Sequence, residues 1–242
     1  MKKYFKIQNI IVIVLIFALI AEAKSLLAQT WARSYGNPGE VTTMRNVILL
    51  SDGGYITAGE HSNYLWISRL TKDGDIIWEN KYGWYPSDYW ILPAIKKTMD
   101  KNILIMGQSS NHSVYLAKID IGGNILWQKK YKWQWITSDL DVQVYSLDTT
   151  PAGDIIIAGT ITGYTYPWPE EWRLFVIKAD GSGNLLWRKI YDVDYEGPWI
   201  VKCISVDSCV LAGAHYGTSG YKGFMMNIDS SANCTSSIFV VS

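Results

Sequence analysis

The sequence that decides the fold is DIGGNILWQKKY, residues 120–131. It joins a turn of aspartate, glycine and asparagine to an apolar run that holds Trp127 and, four positions later, Tyr131. Glycine and asparagine are favoured in tight turns because they tolerate unusual backbone angles. Aromatic and β-branched residues favour strands. The segment therefore predicts a tight turn followed by a β-strand.

The same pattern recurs along the chain, which has 242 residues. A tryptophan precedes a tyrosine by four positions in four pairs: Trp31/Tyr35, Trp78/Tyr82, Trp127/Tyr131 and Trp187/Tyr191. Successive tryptophans lie 47, 49 and 60 residues apart. A short apolar run follows each pair and ends in a glycine: Gly59, Gly107, Gly159 and Gly213. Four pairs in the same phase indicate an internal repeat.

Each repeat unit predicts four short strands separated by turns. In the first unit we expect strands near residues 45–50, 55–58, 65–70 and 76–82. Four strands in roughly 40–50 residues are typical of a β-propeller blade. We therefore predict an all-β propeller of about four four-stranded blades over residues 29–235. The alternatives are a two-sheet sandwich and a partial propeller that belongs to a longer or oligomeric assembly.

The repeat resembles the tandem repeats of secreted bacterial and archaeal propeller-like proteins. The resemblance rests on the Trp-x3-Tyr pairs, the DGGYI-x-AG run and the D-x-x-G-N-x-x-W turn, and it extends from Thr30 to about Cys234. The spacing in Asp120/Gly123/Trp127 is also similar to the tryptophan-docking motif of quinoprotein-type propellers. That similarity implies that the repeat tryptophans pack, largely buried, between neighbouring blades.

The N-terminus has the pattern of a secretory signal peptide. Lys2, Lys3 and Lys6 precede an apolar run at residues 10–23, and A-x-A-like sites follow at Ala23 and Ala28. The run is shorter than the roughly 20 residues needed to cross a bilayer. We expect cleavage after residue 23 or 28, a secreted, periplasmic or cell-surface location, and no membrane span in the mature protein.

Charge and cysteine content restrict the partners and the cross-links. The formal net charge is zero, so no nucleic-acid partner is predicted. Three cysteines, Cys203, Cys209 and Cys234, are too few for a disulfide scaffold. A Cys203–Cys209 bridge is feasible, although the two residues are not expected to lie directly opposite each other across a hairpin.

The sequence contains no motif that assigns an enzymatic activity. A serine elbow, a P-loop and a His-Glu-x-x-His motif are all missing. Quinoprotein dehydrogenases resemble this chain only in the docking motif, because they have eight blades and adjacent cysteines. The three histidines, His61, His112 and His215, fit surface loops better than a zinc site. We therefore predict no catalytic residue, no metal and no cofactor.

Aromatic residues concentrate in the connections from strand b to strand c and from strand d to the next blade, which should share one face. Loops on a rigid scaffold are common binding sites, and aromatic rings suit sugars or peptides. Burial of these rings between blades is the alternative. The candidate ligand-binding residues are Trp84, Tyr85, Trp90, Trp133, Trp135, Tyr166, Trp168, Glu170, Trp172, Trp199, His215 and Tyr216.

The preferred function is an exported, non-catalytic binding module for carbohydrate or protein ligands, with the insertion at residues 160–173 as the main contact element. An extracellular hydrolase that uses loop carboxylates and a structural fragment of a surface protein are the alternatives. The fourth repeat has Ser236 where the others have tryptophan. If the ring closes on itself, we therefore expect Trp31–Tyr35 to complete the fourth blade, with residues 236–242 as a tail or a competing final strand.

Overall fold

A computed structural model describes residues 31–62, 64–82, 94–109, 113–133, 140–163, 171–194, 197–217 and 220–240. The chain divides into two units, Met1–Ser34 and Tyr35–Ser242. The predicted signal peptide, residues 1–28, lies outside the described residues. Residues 31–34 of the first unit form no helix or strand. No helix within the described ranges is long and apolar enough to cross a bilayer.

The described part of the chain forms sixteen strands in four antiparallel sheets. The strands are β1 Thr42–Leu49, β2 Tyr55–His61, β3 Tyr64–Leu70, β4 Ile76–Tyr82, β5 Ala94–Lys97, β6 Ile103–Ser109, β7 Ser113–Ile119, β8 Ile125–Tyr131, β9 Leu140–Thr149, β10 Ile155–Gly163, β11 Glu171–Ala179, β12 Leu185–Asp194, β13 Gly197–Cys203, β14 Ser208–Gly217, β15 Gly220–Asp229 and β16 Cys234–Val240.

Each sheet contains four consecutive strands paired in chain order. This is the blade topology of a β-propeller, and it confirms the predicted fold class. Blade 1 is β1–β4, blade 2 is β5–β8, blade 3 is β9–β12 and blade 4 is β13–β16. The four strands of a blade are called a to d. The turn face is the side with the a–b and c–d turns, and the loop face is the opposite side.

Apolar cores lie between successive blades. Ile56 and Ile67 of blade 1 pack with Ile105 and Ala117 of blade 2, and a second core joins blades 2 and 3 through residues such as Phe175. A third joins blades 3 and 4. Strand a of each blade lies against strand a of the next. The described residues show no comparable contact or core between blade 4 and blade 1.

The repeat tyrosine links each blade to the next one. The hydroxyl of Tyr82 donates a hydrogen bond to the carbonyl of Gly123 in the c–d turn of blade 2 at 2.7 Å. Tyr131 donates to Gly183 in blade 3 at 2.9 Å, and Tyr191 to the c–d turn of blade 4 at 2.8 Å. These three tyrosines are buried. Burial raises their pKa values, so the hydroxyls stay protonated as donors.

The repeat tryptophan docks on the same turn. The indole of Trp78 donates to the carbonyl of Ile121 at 3.1 Å, and that of Trp187 to the carbonyl of Ser230 at 2.8 Å. A methyl group added to Gly123 would lie 3.2 Å from the Trp78 ring, so this glycine permits the close approach. The tryptophans are only partly buried, which corrects the expectation that they are largely hidden.

The two ends of the blade series differ from its interior. The prediction that Trp31–Tyr35 supplies the outer strand of blade 4 is wrong, because these residues form no strand and β16 occupies that edge. Tyr35 nevertheless docks like the other repeat tyrosines, since its hydroxyl donates to the carbonyl of Gly74 at 2.8 Å. Ser236 of β16 occupies the register position of the docking tryptophan, opposite Asn227.

Cys203 and Cys209 form a disulfide between β13 and β14. The two residues are direct cross-strand partners, which corrects the expectation that they would not lie opposite each other. Four residues, 204–207, connect the two strands, and this turn is long enough for Cys203 and Cys209 to pair directly across the hairpin. Cys234 is exposed at the start of β16.

The tyrosine link between blades 2 and 3 can be tested with Tyr131→Phe. The substitution keeps the ring but leaves the buried carbonyl of Gly183 without its donor, so we expect a loss of about 1–3 kcal/mol in unfolding free energy. Urea denaturation measures this loss. Tyr64→Phe is the control, because Tyr64 is exposed and should change stability by less than ~0.5 kcal/mol. Equal stabilities for the two variants would contradict the link.

Candidate functional site

A β-bulge interrupts the innermost strand of blades 1, 3 and 4 near the loop face. The extra residues are Arg45 in β1, Tyr145 in β9 and Trp199 in β13. All three lie at the same level of their blades, beside the glycine that ends the apolar run of strand b. Bulges redirect side chains and are frequent next to binding sites. The bulges therefore mark the inner strands as part of a candidate site.

The repeat glycine makes the bulges of blades 1 and 3 possible. A methyl group added to Gly59 would lie 1.7 Å from the carbonyl oxygen of Thr43, and one added to Gly159 would lie 2.2 Å from that of Gln143. No side chain fits at these distances, so only glycine allows the bulged backbone to approach strand b. The glycines that define the repeat thus position the bulge residues.

A buried aspartate joins the inner strands of blades 2, 3 and 4. Asp148 of β9 forms ion pairs with Lys96 of β5 and, at 3.8 Å, with Lys202 of β13. It also accepts a hydrogen bond from the backbone N–H of Cys203 at 3.0 Å. Burial alone would raise the pKa of Asp148, but the Lys96 ammonium and the backbone N–H groups hold it below its usual value.

The hairpins of blades 3 and 4 reach farther on the loop face than those of blades 1 and 2. Strands b and c pair to the second residue after the repeat glycine in blades 1 and 2, where the last pairs are His61 with Tyr64 and Ser109 with Ser113. In blades 3 and 4 the pairing reaches the fourth residue, at Gly163 and Gly217. Two extra residues lengthen a hairpin by roughly 7 Å.

The described residues include five of the predicted site residues. Trp133 is buried in the core of blades 2 and 3, where its ring contacts Phe175 edge-on at 5.5 Å and lies under Arg188 at 4.9 Å. Trp172, His215 and Tyr216 lie on the extended hairpins, and Trp199 is the bulge residue of β13. The residues outside the described ranges are Trp84, Tyr85, Trp90, Trp135, Tyr166, Trp168 and Glu170.

Three features of the site differ from the sequence interpretation. His61 is buried, not in a surface loop, and its Nε2 contacts Glu40 at 2.5 Å. The insertion at residues 160–173 is paired β-structure at both ends, from Thr160 opposite Leu174 to Gly163 opposite Glu171. The sequence analysis did not identify Arg45, Tyr145 and Asp148 as site residues. Arg45 and Tyr145 are placed by bulges, and Asp148 is placed by its contacts with neighbouring blades.

Three aspartates of the turn face accept hydrogen bonds that stabilise the c–d turns. Asp180 accepts hydrogen bonds from the backbone N–H groups of Ser182 and Asn184 and from the Asn184 side chain. Asp120 and Asp229 make the same set. These bonds lower the pKa of each carboxyl group. No group of three His, Cys, Asp or Glu suited to a metal ion occurs within the described ranges.

Solved structures with a similar fold include a protein of unknown function from Dyadobacter fermentans. That chain is 12% identical, with a TM-score of 0.59, and the match covers 88% of this chain and 70% of the other. Drosophila Semaphorin 1b (6% identity, 78% and 41% coverage) and a putative exo-beta-1,3-galactanase from Bifidobacterium bifidum (12% identity, 81% and 70% coverage) each give a TM-score of 0.48. The first likeness supports the fold alone.

Neither a protein-family model nor a curated protein matches this sequence. The described geometry consists of bulged inner strands, an aspartate shared by three blades and two raised hairpins.

The Asp148 network can be tested with Asp148→Ala. Removing the carboxylate leaves Lys96 and the N–H of Cys203 without their acceptor, and we expect a loss of about 3 kcal/mol. Asp73→Ala removes an exposed partner of Lys72 and should cost no more than about 0.5 kcal/mol. Because folding lowers the pKa of Asp148, its contribution should be present near pH 7 and disappear as the pH falls through the folded-state pKa. A loss that is independent of pH in urea denaturation would refute this assignment.

Proposed function

We propose that this chain is an exported, non-catalytic binding module that recognises a carbohydrate through the loop face of blades 3 and 4. The extended pairing of β10 with β11 and of β14 with β15 carries the proposal. It places Trp172 and Tyr216 on backbone beyond the ends of the hairpins in blades 1 and 2. Raised, hydrogen-bonded hairpins hold contact residues in place at low entropic cost.

The residue types on these hairpins suit a carbohydrate. Trp172, His215 and Tyr216 combine apolar rings with polar atoms, which matches the alternating apolar faces and hydroxyls of a sugar. The connecting residues Tyr166, Trp168 and Glu170 have the same character. Trp199, the bulge residue of β13, belongs to the same blade as His215 and Tyr216.

A binding role agrees better than hydrolysis with the described carboxylates. A glycosidase of the common type needs a carboxylic acid with a raised pKa to protonate the leaving group. Every described carboxylate with a shifted pKa has a lowered one, because it accepts hydrogen bonds or pairs with a cation, as at Asp52 and Asp180. These carboxylates stabilise the turns and the contacts within and between blades. Export is part of the proposal and rests on the N-terminal sequence pattern.

The test is binding of the purified mature protein to a glycan array, followed by titration of the best glycan against variants. Trp172→Ala combined with Tyr216→Ala should lower affinity at least tenfold, because stacking contacts typically contribute about 1–3 kcal/mol together with their burial. Isothermal titration calorimetry measures the affinity. The melting temperature should stay close to that of the wild type.

Tyr64→Ala is the matched control, since Tyr64 lies at the end of the shorter hairpin of blade 1 and is exposed. It should leave glycan affinity unchanged. A double variant that keeps wild-type affinity, or a Tyr64 variant that loses it equally, would place the ligand elsewhere. A wild-type protein that binds no glycan on the array would contradict the carbohydrate assignment.

A further inference from the structure

A cleft of about 320 Å³ opens on the turn face between blades 1 and 2. Blade 1 contributes Asp52 from its a–b turn and Arg69 from β3. Blade 2 contributes Lys97 from the end of β5, Lys101 from its a–b turn and Asp120 from its c–d turn. The cleft is on the side of the blades opposite the raised hairpins, so it is separate from the proposed carbohydrate site.

The carboxylates of the cleft already have donors. Asp52 accepts a hydrogen bond from Arg69 at 2.7 Å and another from the N–H of Gly54 at 3.0 Å. Asp100, which also lines the cleft, pairs with Lys118 at 2.7 Å. Asp120 is held by the backbone and side chain of its own turn. Each of these carboxylates therefore already has hydrogen-bond donors within its own blade.

The groups left without a partner in the described structure are positive. The Nε–H of Arg69 is buried and has no acceptor. The ammonium groups of Lys97 and Lys101 have no hydrogen bond or ion pair within the described ranges. A buried donor without an acceptor costs roughly 1–3 kcal/mol. An anion in the cleft would pair with the two ammonium groups beside the Arg69 guanidinium.

Lys101 occupies a backbone conformation that favours glycine. Its φ is 66°, in the left-handed region, whereas the corresponding residues of blades 1 and 3 are Gly53 with a φ of 81° and Gly153 with a φ of 91°. A side chain is disfavoured in this region. A residue that adopts a disfavoured backbone conformation without making a stabilising contact is a candidate for a functional role.

The cleft between blades 2 and 3 shows the same architecture, with Lys118 at the position of Arg69, but it has no counterparts of Lys97 and Lys101. It measures about 220 Å³ and is lined by Thr149 and Gly153 at the positions of Lys97 and Lys101. Blade 3 has Ala152 where blade 2 has Asp100. The lysines are therefore a local addition to the blade 1–blade 2 cleft and are not required by the turn.

We propose that the cleft between blades 1 and 2 binds an oxyanion, which is a carboxylate, sulfate or phosphate group, between Arg69, Lys97 and Lys101. The guanidinium donates from a fixed plane, and the two ammonium groups supply flexible point charges. Because Arg69 also holds Asp52, the site favours a single compact anionic group over a long polyanion.

Titration of the mature protein with sodium phosphate, sodium sulfate and D-glucuronate, by calorimetry at low ionic strength, tests the proposal. These three probes distinguish free inorganic anions from a sugar carboxylate, and D-glucose is the neutral control. At least one anion should bind saturably and D-glucose should not. Added sodium chloride should weaken the binding, since screening reduces charge pairing at an open site.

The double variant Lys97→Thr, Lys101→Gly gives the cleft the residues of the blade 2–blade 3 cleft. It should lower anion affinity at least about tenfold, because bonds to charged groups are lost. Its melting temperature should be no lower than that of the wild type, since glycine suits the φ of residue 101. Lys130→Gln is the matched control, because it removes an exposed lysine of β8 outside the cleft and should leave the affinity unchanged.

Three results would overturn the proposal. The first is a wild-type protein that shows no saturable anion binding. The second is a double variant that binds as well as the wild type. The third is a Lys130→Gln variant that loses as much affinity as the double variant, which would indicate a general charge effect. Trp172→Ala with Tyr216→Ala should retain anion binding, so failure of the carbohydrate proposal does not affect this test.

Discussion

The hydrogen bond from a repeat tyrosine to the c–d turn of the next blade is the interaction on which the structure depends. Its geometry requires a buried hydroxyl at the end of strand d, as in Tyr131, and a turn carbonyl directed outward from the neighbouring blade. The turn must therefore have a fixed shape. Asp180 fixes it by accepting the turn's own N–H groups, and Gly183 supplies the positive φ.

This arrangement separates the docking bonds from the hairpins that are proposed to bind a ligand. The docking bonds all lie at the c–d turns, where the sequences of successive blades are most alike. The opposite ends of the blades carry none of these bonds, so their hairpins can differ in length. Blades 3 and 4 use that freedom in their extended pairing, up to Gly163 and Gly217. On the turn face, Lys97 and Lys101 are local departures from the repeat, and the oxyanion cleft is proposed there.

The strands and their order could be predicted because they depend on local chemistry that recurs in phase. The segment Ile76–Tyr82 was predicted with its observed bounds, and Ser236 was correctly aligned with the docking tryptophan. The docking of the tryptophans on the next blade was implied by the resemblance, but most other contacts between blades could not be predicted, since they join residues far apart in the sequence. The burial of Trp133 and the pairing of Asp148 with Lys96 depend on such contacts, whereas the bulge at Tyr145 depends on how β9 and β10 pair within blade 3.

Native-state hydrogen exchange in increasing denaturant tests the central claim most directly. If the tyrosine links join the blades into one cooperative structure, the most protected amides of β6, β10 and β14 should exchange with a single common free energy, equal to that of global unfolding. These strands lie in the middle of blades 2, 3 and 4. Separate exchange free energies for the three blades would contradict the claim, because they would show that each blade opens without its neighbours.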